Sequence, residues 1–413
     1  MTTAVSRPQL WPEIRVLILA AMAIFVYTIG IGILNGTDLV DFDQRRILGH
    51  VHGGTLGWLT LSVFAASLWL FGESAPIDER ERTILRFLVG AAIIAFVIYI
   101  YAFSTTYGRL RPVMGIASTA VVAAFFLWVL TRVRDTVLGV PHWGFLAALG
   151  TSIVGGVLGV LLGFELATGN NFLPEGGEDA HPATMVVGFL VPVVLAMAEW
   201  SFTFPAPPRA TRAGIIQMVF PFLGGIILML SLLLDVTPLA PIAIGLEMVG
   251  IGIFLYRLRR SLRAVRWMSP QVHAVASVAS VIFVIGLAQY FIIRYEGDFD
   301  LAPQHQLLAL DHAQFIGAMT NAVFAMLLAA TIRERRGAWL EGVVFVAVMG
   351  GLIGFATGLM FDATAIKRTF APIMGVGLLV GLGLYASRLA PLDFWPGRTA
   401  QPGPEPESVP QLP

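Results

Sequence analysis

Two histidines one residue apart, in Gly49-His50-Val51-His52-Gly53-Gly54-Thr55-Leu56-Gly57-Trp58, offer the most informative chemistry in this sequence. Residues two apart on an α-helix point about 200° away from each other, so His50 and His52 would face opposite sides of one helix and serve two different centres. Gly53, Gly54 and Gly57 would let a flat macrocycle or a neighbouring helix approach the backbone closely. The chain has no cysteine, which excludes disulfides, iron–sulfur clusters, thiolate metal sites and covalent c-type haem attachment. Any metal must therefore be held by His, carboxylate, Met or Tyr.

The elements that position these histidines are set by lipid. Of 413 residues 57% are hydrophobic and 13% charged, with a mean hydropathy of +0.80. A water-facing globular surface does not tolerate such values. Apolar runs of about 20 residues recur along the chain, each able to span a hydrocarbon core, and they lack the alternation of barrel strands. Charged and Pro/Gly breaks predict helices over 14–35, 50–72, 84–104, 112–131, 143–166, 182–204, 213–234, 238–257, 272–294, 310–332, 339–361 and 370–389. The expected fold class is all-α and polytopic, with about twelve transmembrane helices. The run from Val16 to Leu34 is longer than a secretory h-region and reads as a retained first helix. Residues 1–395 form one transmembrane domain, and the Pro-rich polar stretch 396–413 is expected to be a disordered cytoplasmic tail.

Sorting the basic residues by alternate connections supports this count. Nineteen of the 26 Lys and Arg fall on the side of the two termini and seven on the other, so both termini lie in the cytoplasm and the membrane is expected to be the inner one. His50, His52, His181, His305 and His312 then lie at or near outer helix ends, whereas His142 and His273 lie on the cytoplasmic side. The outer connections are rich in acids, among them Asp38, Asp41, Asp43, Glu175, Glu178, Asp179, Glu296, Asp298, Asp300 and Asp311.

Taken in fours, the helices repeat, over about 14–132, 143–257 and 272–389. Each quartet has an opening helix, an acidic outer loop of roughly a dozen or more residues, and a second helix with histidine at its outer start. Aligning Gly57, Gly188 and Gly317 puts His52 and His312 five residues before the glycine, and His50 and His181 seven before. The bland reading of one such histidine is an interfacial side chain hydrogen-bonded to headgroups or loop acids. Four at one depth, on helices made equivalent by a repeat, favour a shared site, because ionisable groups inside a membrane are costly and usually face a functional interior.

The string GHVHGGTLGW resembles the His-x-His helix in the main subunit of haem-copper oxidases, especially the cbb type, where that helix supplies axial ligands to both haems. The family fold is similar too, with twelve helices in three quasi-repeated arcs, cytoplasmic termini and haems towards the outer side. The resemblance implies one or two b-type haems, ligated by His50, His52, His181 and His312. Its expected role is electron transfer, or binding or reduction of a diatomic gas such as O2 or NO, as a possible oxidoreductase. His52 with His312 is the first expected pair and His50 with His181 the second. Arg109, Arg111, Lys367 and Arg368 occupy outer connections and are expected to meet haem propionates, or lipid phosphate. An electron-donor protein or quinol, other oxidase-like subunits and the bilayer are the implied partners. The motif lies on the second helix here rather than the tenth; helix 6 has no tyrosine and helix 7 no histidine, which speaks against a copper site.

Asp311 precedes His312 and could orient its ring or cap the helix. Glu199 and Glu247 read as carboxyls within or near the inner halves of apolar helices, Glu247 able to relay protons or to bond a neighbouring helix, and Asp235 as the cap of an outer turn. A proton-coupled secondary transporter is the alternative from another class, and a cofactor-free oxidase-like scaffold the third reading. The chain's formal net charge of zero recruits no nucleic acid.

Overall fold

The computed structural model of the protein describes residues 7–106, 108–236, 238–295, 301–335 and 337–389. Among them twelve helices are long and apolar enough to cross a membrane: α1 Trp11–Gly36, α2 Gln44–Gly72, α3 Glu79–Thr105, α4 Leu110–Asp135, α5 Val140–Thr168, α6 Gly177–Thr203, α7 Arg212–Leu233, α8 Leu239–Arg263, α9 Gln271–Arg294, α10 Gln304–Ala330, α11 Ala338–Met360 and α12 Thr364–Leu389. The described residues form no strand beyond an isolated bridge between Gly139 and Arg209. The chain is thus an all-α, multi-pass membrane protein. The proposed tail 396–413 and the outer acids Glu296, Asp298 and Asp300 lie outside the described residues.

The histidine-bearing helices begin earlier than their hydropathy predicts. α2 starts at Gln44 instead of 50, α6 at Gly177 instead of 182, and α10 at Gln304 instead of 310. Their first turns are polar yet helical. At α2 the Asp43 side chain caps the start by accepting from the Arg46 amide at 3.0 Å, which satisfies one of the free N–H groups of a helix end. Two corrections follow. The histidines sit inside the helices rather than at their starts, and the first outer connection shrinks to residues 37–43. His305, expected in a polar loop, is helical for the same reason.

Burial separates three helices from the rest. In the apolar windows of α2, α6 and α10, 78%, 78% and 89% of residues are buried, against 33–44% for the other nine, so these three form the centre and the others face lipid. Each central helix widens at the same place into a π-helical segment: Gly53–Thr60, Thr184–Leu190 and Ala313–Thr320. The aligned glycines Gly57, Gly188 and Gly317 all lie within them. The Thr60 hydroxyl donates to the Thr55 carbonyl at 3.0 Å, and Thr320 to that of Phe315 at 2.8 Å, each five residues back. Widened turns of this kind are frequent at functional sites, and here they recur on the second helix of each proposed quartet.

At the inner end each quartet is fastened by the same device. An Arg near the end of its fourth helix meets a polar side chain near the start of its third: Arg132 with Glu81, Arg257 with Gln217, and Arg388 with Glu341. Arg257 also binds both oxygens of Glu199 on α6 at 2.9 Å, and the Gln217 amide donates to the same carboxylate at 3.0 Å. Glu199 is therefore a buried, paired structural anion. Removing one partner of such a pair leaves an uncompensated charge. Arg257→Met should destabilise the protein by about 3 kcal/mol in reversible unfolding from mixed micelles. Adding Glu199→Gln should recover most of that loss.

Candidate functional site

The four repeat-related histidines share one detail. His50 Nδ1 lies 2.8 Å from the Thr28 carbonyl on α1, and His181 Nδ1 lies 2.8 Å from the Gly155 carbonyl on α5, the opening helix of its own quartet. His52 Nδ1 lies 2.8 Å from the Leu48 carbonyl, and His312 Nδ1 lies 2.7 Å from that of Leu308, each four residues back on its own helix. A carbonyl only accepts, so every Nδ1 carries the hydrogen and donates it. In the neutral ring Nε2 is then left with its lone pair, the state in which imidazole ligates a metal. Equivalent positions in the repeat have equivalent ring conformations.

His50 lies within electrostatic range of His312, and His52 within range of His181, combinations other than the expected His52 with His312 and His50 with His181. Each observed pair takes the residue seven before the glycine from one quartet and the residue five before it from another. The remaining combination, between α6 and α10, would be Ala183 with Leu310, and it holds no imidazole. The two histidines of α2 do serve different partners, as their opposite directions require. α2 and α10 are also in direct contact, since Trp58 Nε1 donates to Thr320 Oγ1 at 3.1 Å in a buried hydrogen bond.

Aromatic rings wall the histidines, a feature that carries no signal in the sequence. His52 stacks on Phe103 with centroids 3.8 Å apart and meets Tyr99 edge-on at 5.5 Å, both from α3. His312 meets Phe355 of α11, the corresponding helix of its quartet, at 4.9 Å. Gly159 on α5 lies against the His181 ring; a Cβ there would come within 2.6 Å of Cε1, so glycine is what admits the imidazole.

The four basic residues expected at the outer face divide. Arg111 is buried at 3% exposure, donates to the Phe103 carbonyl at 2.9 Å and lies over the Phe103 ring at 4.6 Å, within electrostatic range of His52. Arg109 is exposed at the start of α4. Lys367 and Arg368 both bind Asp38, at 2.8 Å each, and clamp the α1–α2 connection to the start of α12. Asp311 is neither a helix cap nor the orienter of His312, because α10 begins seven residues before it and Leu308 holds the ring.

The other histidines have local roles. His142 accepts from the Gly139 amide at Nδ1 and uses Nε2 on the Leu70 carbonyl, His273 bonds Asn321, and His305 bonds the Leu359 carbonyl. Glu247 is the ninth of the 25 residues of α8, near the middle of a helix that runs to Arg263, six residues past its expected end. Asp235 does occupy an outer turn, with φ 51°.

The hydrogen bonds from Lys367 and Arg368 hold the Asp38 carboxyl below the usual carboxylate range. A carboxyl lowered by folding adds stability above its unfolded pKa and loses it as pH falls through the folded value. Asp38→Asn should flatten the pH dependence of thermal stability below about pH 4, the ordinary aspartate value, as followed by melting temperature across an acid series.

Among the described residues no three His, Cys, Asp or Glu side chains come together in a way that could hold a bare metal ion. No protein-family model matches the sequence, and a search of curated proteins finds no match either.

Proposed function

We propose that this protein is a b-type haem protein of the inner membrane with two bis-histidine centres, His50 with His312 and His52 with His181. The observation that carries the reading is the uniform anchoring of all four Nδ1 atoms to main-chain carbonyls, which leaves four Nε2 lone pairs available, with His50 in electrostatic range of His312 and His52 of His181. Bound haem would supply one-electron redox chemistry. His50, His52, His181 and His312 would hold it through Nε2, with ring basicity raised by the carbonyl bonds, and the rings of His52 and His312 are set against Tyr99, Phe103 and Phe355. Arg111, beside His52, is the cation placed to meet an anionic edge of the ligand. Two imidazoles on one iron favour electron transfer over gas binding.

This reading retains the likeness to haem-copper oxidase main subunits in helix number, sidedness and threefold repeat, and proposes no copper centre. An electron-donor protein or quinol is the partner such a role requires. A proton-coupled transporter is the second reading, favoured by one observation, the unpartnered carboxyl of Glu247.

Reduced-minus-oxidised spectra of purified protein produced with full haem supply should show a b-type signal, and absence of a Soret band would overturn the reading. The double variant His50→Ala/His312→Ala should lose one low-spin centre and keep the other. His52→Ala/His312→Ala should lose both, since these residues belong to different pairs.

A further inference from the structure

Glu247 is 2% exposed, and neither of its carboxyl oxygens has a hydrogen-bond partner. It packs on Gly224 of α7, where an added Cβ would come within 2.8 Å of Oε1. The adjoining Gly225 presses against Gly188 in the π-helical segment of α6, so the carboxyl lies beside a close helix–helix approach in the second quartet.

The repeat shows what normally fills this place. Ten residues before the inner arginine of each fourth helix stand Val122, Glu247 and Leu378. Seven residues after its partner on each third helix stand Leu88, Gly224 and Val348. In the first and third quartets aliphatic side chains occupy both positions, and all four are buried. The second quartet alone exchanges one for an acid and the other for the glycine that makes room for it. This is also the quartet whose central helix has Ala183 where the others have His52 and His312.

An unpaired carboxylate inside a membrane is costly, whereas the acid form carries no net charge. The titratable groups on the helices touching α8 are Glu178, Asp179, His181 and Glu199 on α6, Arg212 on α7, and His273, Tyr290 and Arg294 on α9. Those on α8 itself are Tyr256 and the arginines from Arg257 onward. None of them lies within electrostatic range of Glu247. A metal ion is also unsuited to the place, because Ca2+ takes about six to eight oxygen ligands and a single carboxyl supplies two. The ligand chemistry that remains is the proton. We propose that Glu247 is a reversible proton-binding site built into the α7–α8 pair.

This inference does not depend on the haem reading and is tested separately from it. Infrared difference spectra should be recorded between neutral and alkaline pH on the full-length protein in nanodiscs. The wild type should show a protonated-carboxyl C=O band that is lost as a carboxylate band grows, and Glu247→Gln should abolish both changes while leaving the visible absorption spectrum unaltered. Glu247→Asp should keep the band at a shifted position, which covers the case in which the Gln variant does not fold. Difference spectra identical in wild type and both variants, or a Glu247 band that persists unchanged at every pH, would overturn the proposal.

Discussion

The hydrogen bond from an imidazole Nδ1 to a main-chain carbonyl is the interaction on which the outer half of this molecule turns. Inside a membrane an unsatisfied N–H is expensive, and helix carbonyls are the acceptors nearest to hand. Two solutions are used. Residues seven before the repeat glycine reach across to the opening helix of their quartet, and residues five before it fold back on their own helix. Both leave the far nitrogen of the ring free for an acceptor role, so satisfying the backbone rule and preparing a ligand are one event.

Around those rings the fold is threefold in outline and twofold in content. Three buried helices each carry a π-helical segment at the corresponding place in the repeat, and imidazoles fill two of the three combinations of its histidine positions. The third has Ala183 and Leu310. Repetition supplies the scaffold cheaply, because one packing solution and one inner Arg clamp are reused. Departures from it mark places where packing alone does not explain the residue, of which Glu247 against Gly224 is the plainest.

Fold class, helix number and repeat were legible because they follow from hydropathy and from where 26 basic residues fall. Helix starts were not, since Gln44-Arg45-Arg46 and Gln304-His305-Gln306 read as loop while their backbone is helical. The histidines themselves stood out by type and spacing. Which histidines come within electrostatic range of one another did not, because that depends on the order in which the quartets run around the centre, and linear spacing is blind to it. Phe103, Tyr99 and Phe355 are ordinary apolar-helix residues until their neighbours are known. Lys367 and Arg368 looked free because Asp38, their partner, lies more than 300 residues away.

That long reach has a consequence for how the chain is built. As helices leave the ribosome in sequence, the His52–His181 pair has both members once six have been inserted, whereas His50 must wait for the tenth to deliver His312. The Asp38 clamp closes only with the twelfth. The two pairs are therefore completed in a fixed order, and a nascent chain halted between the sixth and tenth helices would hold one finished pair and one half-made.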